Sequence, residues 1–376
     1  MTYAMLTISE ILDVPAYSYT KNFDPVKDAM KLRKCLNPLS IDKDEIMDVI
    51  CNRNEMQRKI IRNTYSVIYP DRNLENELLG LCPDNFSILM AKLMKHPLLS
   101  AVEEIYTVIN SDHIDSATHI DILVDCSNDD ISKIKKLYSL VYGISIIDNI
   151  TRTTTGSFKE FLIGLFQKNA RENPEAADRR KSSMDAAHLD NEDDDIFYQH
   201  SEVNVLLGML TARCQRNLAR TFYIFQKRYE KSVEQVLKFK LTGNHLKSVL
   251  AFATCAQSPI LYAAKKINSY LSKDADLKLI RWLVICSNRN NFQELSDILA
   301  NQFDVDLLDK LTNRTQGSFQ KAILMLVKFQ LGKSAKRSDA ANYDITLEWQ
   351  NTIHGPRVSE PIDFDLICKR RNYAFV

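Results

Sequence analysis

The chain has little glycine, almost no net charge and no long apolar run. Only nine of its 376 residues are glycine, a scarcity typical of chains that are nearly all helix. It has 49 Lys and Arg against 48 Asp and Glu, so no overall field favours nucleic acid or an anionic surface, and any such attraction must come from local patches. No window of 18 apolar residues exists, which argues against a membrane-spanning helix.

Motifs for catalysis and tight metal binding are also missing. The eight cysteines are scattered singly without a CxxC pair, which argues against a zinc ribbon or a redox dithiol and favours buried thiols in a reducing compartment. The sequence has no Walker-type loop, no HExxH and no Gly-x-Ser-x-Gly, so no motif indicates an enzyme. The first residues lack the basic-then-apolar pattern of a secretory signal peptide.

What the chain does contain is a short phrase repeated four times. Its copies are Pro83-Asp84-Asn85-Phe86, Thr155-Gly156-Ser157-Phe158, Thr242-Gly243-Asn244-His245 and Gln316-Gly317-Ser318-Phe319. The fourth residues of successive copies are 72, 87 and 74 positions apart, and three of the nine glycines occupy one slot. A turn that recurs with a period near 70 residues predicts one supersecondary unit used four times.

A second landmark gives the same register. Arg53, Cys126, Arg213 and Cys286 each follow an apolar stretch and are separated by 73, 87 and 73 positions. Units one and three carry Arg, and units two and four carry Cys. This alternation indicates a duplicated pair of units.

The pattern inside a unit is helical. Apolar residues between 60 and 68 follow the spacing of a core-facing helix stripe, and no strand-like alternation persists. Asp42, Asp84 and Ser157 precede such stripes and are predicted helix caps. The glycine of the repeated phrase predicts a turn with a left-handed residue. We therefore predict an all-α fold with about five short helices in each unit.

The domain boundaries follow from the two landmarks. Residues 170–198 hold nine acidic and four basic residues, which predicts a solvated and mobile acidic linker. The predicted divisions are an N-terminal segment 1–20, units at 21–98, 99–169, 199–257 and 258–331, the linker 170–198, and a C-terminal extension 332–376 that packs back on the body in part.

Four units of five helices with a longer connection after the second unit resemble the annexin family. The local match is best in unit one, where residues 32–36 resemble the first annexin helix and residues 42–53 the second with its acidic start. The resemblance covers roughly residues 15–331. It implies a slightly curved disc of four annexin-type repeats and a non-enzymatic, cytoplasmic protein that binds anionic phospholipid surfaces peripherally, with no nucleic acid partner.

The chain departs from the annexin pattern at the calcium sites. Annexins bind calcium through a Gly-x-Gly-Thr loop between the first two helices, together with an acidic residue three positions before the later glycine. Glycines let backbone carbonyls turn toward a hard cation, and the carboxylate completes the oxygen shell. Here the first loop is Pro38-Leu39-Ser40-Ile41, and the four distal positions hold Leu81, Thr153, Lys240 and Arg314. We therefore expect degenerate sites and a weak or non-standard dependence on calcium.

Weaker calcium sites are still conceivable on the loops. The candidate ligands are Asp42, Asp44, Glu45, Asp112, Asp115, Asp274 and Asp276, because flexible loops with carboxylates can hold calcium weakly. The alternative for each is a role in the first turn of a helix, where acidic residues are favoured. The sequence leaves both open.

Lipid contact without calcium is the complementary prediction. Lys240, Lys273 and Arg314 are candidates to contact anionic headgroups, since a Lys or Arg near such a surface contributes about 1 kcal/mol. Leu39 is the candidate to dip into the lipid interface.

Two further expectations come from the resemblance. Loss of the loop glycines also resembles the alpha-giardins, divergent annexins that associate with the cytoskeleton, so the alternative function is a calcium-independent scaffold for cytoskeletal proteins. Glu104, Asp121 and Arg281 stand where annexins line a hydrophilic passage between the two halves. They predict either a buried polar interface or an ion path.

Overall fold

The computed structural model describes residues 23–37, 39–111, 121–123, 126–167, 179–189, 208–289 and 291–338. These residues form eighteen helices, α1 to α18, and two further helical pieces at 121–123 and 208–212, and they contain no β-strand. The predicted all-α fold is confirmed.

The helices group into four units of five, counting the two pieces. Unit one holds α1 (Pro25–Cys35), α2 (Lys43–Cys51), α3 (Glu55–Ile68), α4 (Leu74–Leu79) and α5 (Asn85–Met94). Unit two holds α6 (Pro97–Ile109), the piece 121–123, α7 (Asn128–Tyr142), α8 (Ile146–Thr153) and α9 (Gly156–Phe166). Unit three holds α10 (Arg179–Leu189), the piece 208–212, α11 (Gln215–Tyr229), α12 (Val233–Lys240) and α13 (Gly243–Gln257). Unit four holds α14 (Pro259–Leu271), α15 (Asp276–Arg289), α16 (Phe292–Phe303), α17 (Leu307–Arg314) and α18 (Gly317–Ser338).

The repeated phrase marks the beginning of the fifth helix in every unit. Gly156, Gly243 and Gly317 are the first helical residues and have φ between +61° and +65°, the left-handed region that glycine adopts without strain. The predicted left-handed turn is therefore confirmed.

Unit one starts its fifth helix differently, because Asp84 stands in the glycine slot. Its backbone is extended, and its side chain accepts a hydrogen bond from the backbone N–H of Ser87. Asp42 caps α2 in the same way through the N–H of Glu45, so both predicted caps are confirmed. The prediction for Ser157 is wrong, since α9 begins at Gly156 and its cap position is Thr155.

Part of the predicted linker is a packed helix. We expected residues 170–198 to be solvated, but α10 occupies 179–189, contacts α11 and buries Ser182, Asp185, Ala186 and Leu189. The prediction is wrong for this stretch because three of the four buried residues of α10 are small or acidic. Such a composition is also typical of a linker. We propose that unit three begins at α10.

One ion pair explains the Arg landmark of units one and three. Arg53 contacts both carboxylate oxygens of Asp28, with Nε to Oδ2 at 2.8 Å and Nη2 to Oδ1 at 3.1 Å. Arg213 makes the same two contacts with Asp185 at 2.7 and 2.9 Å. The bidentate pair ties the first helix of each odd unit to the end of the second.

Packing joins the first unit to the last. Helices α2 and α5 contact α18, and α3 and α5 contact α15. Units two and three meet where the Phe161 ring lies edge-on to Phe252, with centroids 6.0 Å apart. Helix α18 extends to Ser338, so the predicted C-terminal extension begins inside a helix. The segment 1–20 and residues 339–376 lie outside the described residues.

Candidate functional site

Loops of units one and four are joined by a row of polar contacts, which we call the inter-loop row. It consists of Lys43, Asp84, Asn85, Asp276 and Arg314. Lys43 Nζ lies 3.0 Å from Asp84 Oδ2, Asn85 Nδ2 donates to Asp276 Oδ2 at 2.6 Å, and Arg314 Nη2 donates to Asp276 Oδ1 at 2.5 Å. The row brings the first loops and the fourth-to-fifth helix turns of both units together.

Both groups of the Lys43–Asp84 pair have shifted pKa values. Partial burial opposes ionisation of Asp84, but hydrogen bonds from the Ser87 N–H and from Lys43 outweigh it and lower its pKa to about 2. The pKa of Lys43 is raised above its ordinary value of 10.5, chiefly by a hydrogen bond to Cys82. Desolvation opposes this shift, and the hydrogen bond to Asp84 adds to it. Lys43 Nζ also lies 5.0 Å from the centroid of the Phe86 ring.

These shifts predict how the pair depends on pH. Because the pKa of Asp84 is lowered, its ionised carboxylate stabilises the folded protein fully above the ordinary pKa of 3.8. This contribution is lost as pH falls toward about 2. The raised pKa of Lys43 means that its share is complete below 10.5 and is lost at higher pH. We expect the difference in Tm between the wild type and Asp84→Asn to stay constant between about pH 5 and 9 and to shrink below about pH 4. Thermal unfolding of both proteins across that range measures it, and a difference that changes between pH 5 and 9 would contradict the assignment.

Asp276 and Arg314 engage each other. Arg314 was predicted to contact lipid and Asp276 to bind calcium, yet the guanidinium is mostly buried and directed at the carboxylate. The same carboxylate also accepts the Asn85 hydrogen bond. Either predicted role would have to compete with this arrangement.

Of the other predicted calcium ligands that the structure describes, three have protein partners and the fourth lies exposed on the surface. Asp42 caps α2, Asp44 lies 3.5 Å from Lys321 with both side chains exposed, and Glu45 is paired with Lys31. Asp274 is exposed. The two remaining candidates, Asp112 and Asp115, lie outside the described residues.

These donors do not fit a calcium ion. Within the part of the chain that the structure describes, no group of three or more His, Cys, Asp or Glu side chains is close enough to hold a metal ion. Calcium takes six to eight oxygen ligands, and the Asp276 oxygens already accept hydrogen bonds from Arg314 and Asn85.

The predicted lipid-contact residues differ in exposure. Leu39 is 94% exposed on the loop between α1 and α2, and Lys273 is exposed on the loop between α14 and α15. Lys240 ends α12, but its side chain is not described. Sequence reasoning missed two further exposed apolar residues, Leu277 at the start of α15 and Phe239 at the end of α12. Their proximity to Asp276 and Lys240 in the sequence was the available signal.

The polar residues predicted between the halves do meet. Arg281 Nε lies 2.8 Å from Glu104 Oε2, and its Nη1 lies 3.7 Å from Asp121 Oδ2. Lys266 lies 3.3 Å from Asp121, which also accepts a hydrogen bond from the Tyr262 hydroxyl. A cavity of about 340 Å³ adjoins this cluster.

Burial dominates the electrostatics of this cluster. Desolvation raises the pKa of the Asp121 carboxyl in spite of the nearby Lys266 and Arg281. It likewise raises the pKa of Tyr262. Because Asp121 is so deeply buried, its charge depends on the cations around it.

Sequence reasoning missed one buried cation, Arg58, at the contact of units one and four. It is 1% exposed, and its Nη2 donates to Ser287 Oγ at 3.1 Å and to Asn288 Oδ1 at 3.0 Å. Its Nη1 donates to the carbonyl of Arg53 at 2.7 Å. The signal was its spacing, since Arg58 stands three and seven residues before the buried Ile61 and Tyr65.

Comparisons with known proteins agree with this architecture. A model of the annexin family matches residues 27–92 and 101–165. Mouse annexin A6 is 25% identical over 308 residues, which are 81% of this chain and 46% of annexin A6. Bovine annexin A4 is 27% identical over 310 residues, which are 81% of this chain and 94% of annexin A4. The chain thus spans about half of annexin A6 and nearly all of annexin A4.

Solved structures show the same fold at low identity. The structure of annexin III has a TM-score of 0.74 at 20% identity and covers 82% of this chain and 95% of its own. Calcium-bound alpha-14 giardin has a TM-score of 0.63 at 13% identity and covers 80% of this chain and 98% of its own. In the described ranges, no helix has the length and apolarity needed to cross a membrane. The family-model match over the first two units, the curated relatives and the shared fold together support a divergent member of the annexin family.

Proposed function

We propose that this chain is a non-enzymatic peripheral membrane protein that binds anionic phospholipids with a weak or non-standard dependence on calcium. The annexin family supports a phospholipid-binding function of this kind. The observation that carries the proposal is Leu39, 94% exposed on the loop between α1 and α2.

An isolated leucine on a loop is a suitable lipid anchor. Fully burying a leucine side chain stabilises by about 1.5 to 3 kcal/mol, and an apolar residue dipping into the acyl boundary gains part of that energy. The exposed residues Leu277 and Phe239 stand next to loop positions of units four and three. Exposed Lys273 would add about 1 kcal/mol toward anionic headgroups.

Calcium enters this proposal only in a reduced role. Calcium-bound annexin structures support calcium binding as a property of the family. In this chain, however, the candidate carboxylates Asp42, Glu45 and Asp276 are engaged by protein groups. We therefore propose that most membrane affinity survives removal of calcium, in a protein that is cytoplasmic and peripheral.

Leu39→Asp tests the anchor. We expect it to weaken binding to phosphatidylserine-containing vesicles about tenfold or more, because it removes apolar burial and adds repulsion from the headgroups. The matched control is Val67→Asp, since Val67 is 76% exposed but lies in the last turn of helix α3 rather than on a first loop. Co-sedimentation with vesicles measures both, and equal loss in the two variants would contradict the assignment of Leu39.

The wild type should be assayed with and without chelator. Binding in both conditions is the expected result, and no binding in either would refute the membrane function. Co-pelleting with microtubules in the absence of vesicle binding would instead favour the scaffold alternative.

A further inference from the structure

Lys43 and Asp276 occupy the same place in units one and four. Each is the first residue of the second helix of its unit, and each lies ten residues before the second landmark, Arg53 or Cys286. Their charges are opposite. Equivalent positions of a duplicated unit therefore carry a cation in one copy and an anion in the other.

Each of these residues is paired with a residue near the turn between the fourth and fifth helices of its own unit. Lys43 is paired with Asp84, which caps the fifth helix, and Asp276 is paired with Arg314, which ends the fourth helix. The polarity is reversed between the units, but the same two segments are joined. A contact kept while its charges exchange indicates that joining the segments is what matters.

We propose that these two ion pairs are metal-free clasps, which fix the first loop of units one and four against the fourth-to-fifth helix turn. Asn85 couples the clasps, because its neighbour Asp84 belongs to one and its side chain donates to Asp276 of the other. The carboxylates of Asp84 and Asp276 are thus already committed to protein donors. The inference rests on the proposed function only for its consequence at a membrane, namely that the loop bearing Leu39 and the first turn of α15 bearing Leu277 are held in place without calcium.

The local geometry supports a structural role for Arg314. Its Nε is buried and has no acceptor among the described residues, while its Nη2 contacts Asp276. Burying a donor without a partner costs free energy. The guanidinium is therefore held inward against that cost, and the contact with the carboxylate is the interaction that offsets it.

Arg314→Glu tests the clasp of unit four. It places a second carboxylate beside Asp276, so repulsion should release the loop between α14 and α15. We expect amide hydrogen exchange at residues 272–275 to rise about tenfold in chelator, and millimolar calcium to reverse much of that rise because two carboxylates now face one gap. The wild type should show the same exchange in chelator and in calcium.

The charge exchange Asp276→Arg with Arg314→Asp is the matched control. It keeps an ion pair between the same segments, so the rate of amide hydrogen exchange at residues 272–275 should return most of the way to the wild-type value. The clasp would be overturned if amide hydrogen exchange in Arg314→Glu equals that in the wild type. It would also be overturned if amide hydrogen exchange in the wild type falls when calcium is added. The exchange data stand apart from vesicle binding, so an intact clasp in a protein that binds no vesicles would refute the proposed function alone.

Discussion

Replacing Arg58 with alanine is expected to lower the free energy of unfolding by about 3 to 5 kcal/mol. The side chain is buried where unit one meets unit four, and its guanidinium donates to Arg53, Ser287 and Asn288. Removing it takes one donor from each of these acceptors, although Ser287 keeps the hydrogen bond from Gln330, and it opens a cavity between α3 and α15. Urea unfolding followed by circular dichroism measures the loss.

Two further variants separate the causes. Desolvation lowers the pKa of Arg58 to about 10, so burying its charge costs free energy. Arg58→Met should therefore lose less stability than Arg58→Ala, because the methionine side chain fills the space between α3 and α15. Arg152→Ala, at an exposed arginine of α8, should change stability by no more than about 0.5 kcal/mol. Equal unfolding midpoints for Arg58→Ala and Arg152→Ala would show that Arg58 does not hold the two units together.

Replacing Arg281 with methionine should cost about 3 kcal/mol. The arginine lies between Glu104 and Asp121, and its loss leaves two carboxylates of unit two with fewer cations. Lys92 still contacts Glu104 at 2.9 Å, and Lys266 still contacts Asp121, which holds the expected cost at the lower end of the range for a broken buried pair. The same denaturation experiment measures it.

A second substitution shows whether uncompensated charge is the reason. Adding Asp121→Asn to Arg281→Met should recover part of the loss, because the most deeply buried carboxylate of the cluster is then neutral. If the losses in free energy of unfolding caused by the two substitutions are additive, the cluster contributes through packing and the electrostatic explanation fails.

The repeat and its helices could be predicted because their signals are local. Gly156, Gly243 and Gly317 mark a backbone conformation that few other residues adopt, so their spacing fixes the register of the units. Helix α10 escaped prediction because its buried face consists of Ser182, Asp185, Ala186 and Leu189. Asp185 is buried only because Arg213, 28 residues away, neutralises it.

Of the inter-loop row, the sequence singled out Asp276 and Arg314 as candidate site residues but did not predict their contact. The sequence placed Arg314 at a distal position of the annexin calcium pattern, as a lipid-contact candidate, and Asp276 among the weak calcium candidates. Their contact depends on how α15 and α17 pack within unit four, and that of Asn85 with Asp276 across 191 residues depends on how units one and four pack. Such long-range pairing leaves no periodic trace in one sequence.

The contact of the first unit with the last also determines how the repeat array responds to mechanical load. In a linear stack of repeats, each end unit touches one neighbour and frays first. Here unit one packs on unit four through α2, α3 and α5 and is paired with unit two through Lys92–Glu104 and Lys95–Glu103. Peeling unit one from the array must therefore break two interfaces at once, and tension applied between α1 and α18 loads the contact of units one and four directly.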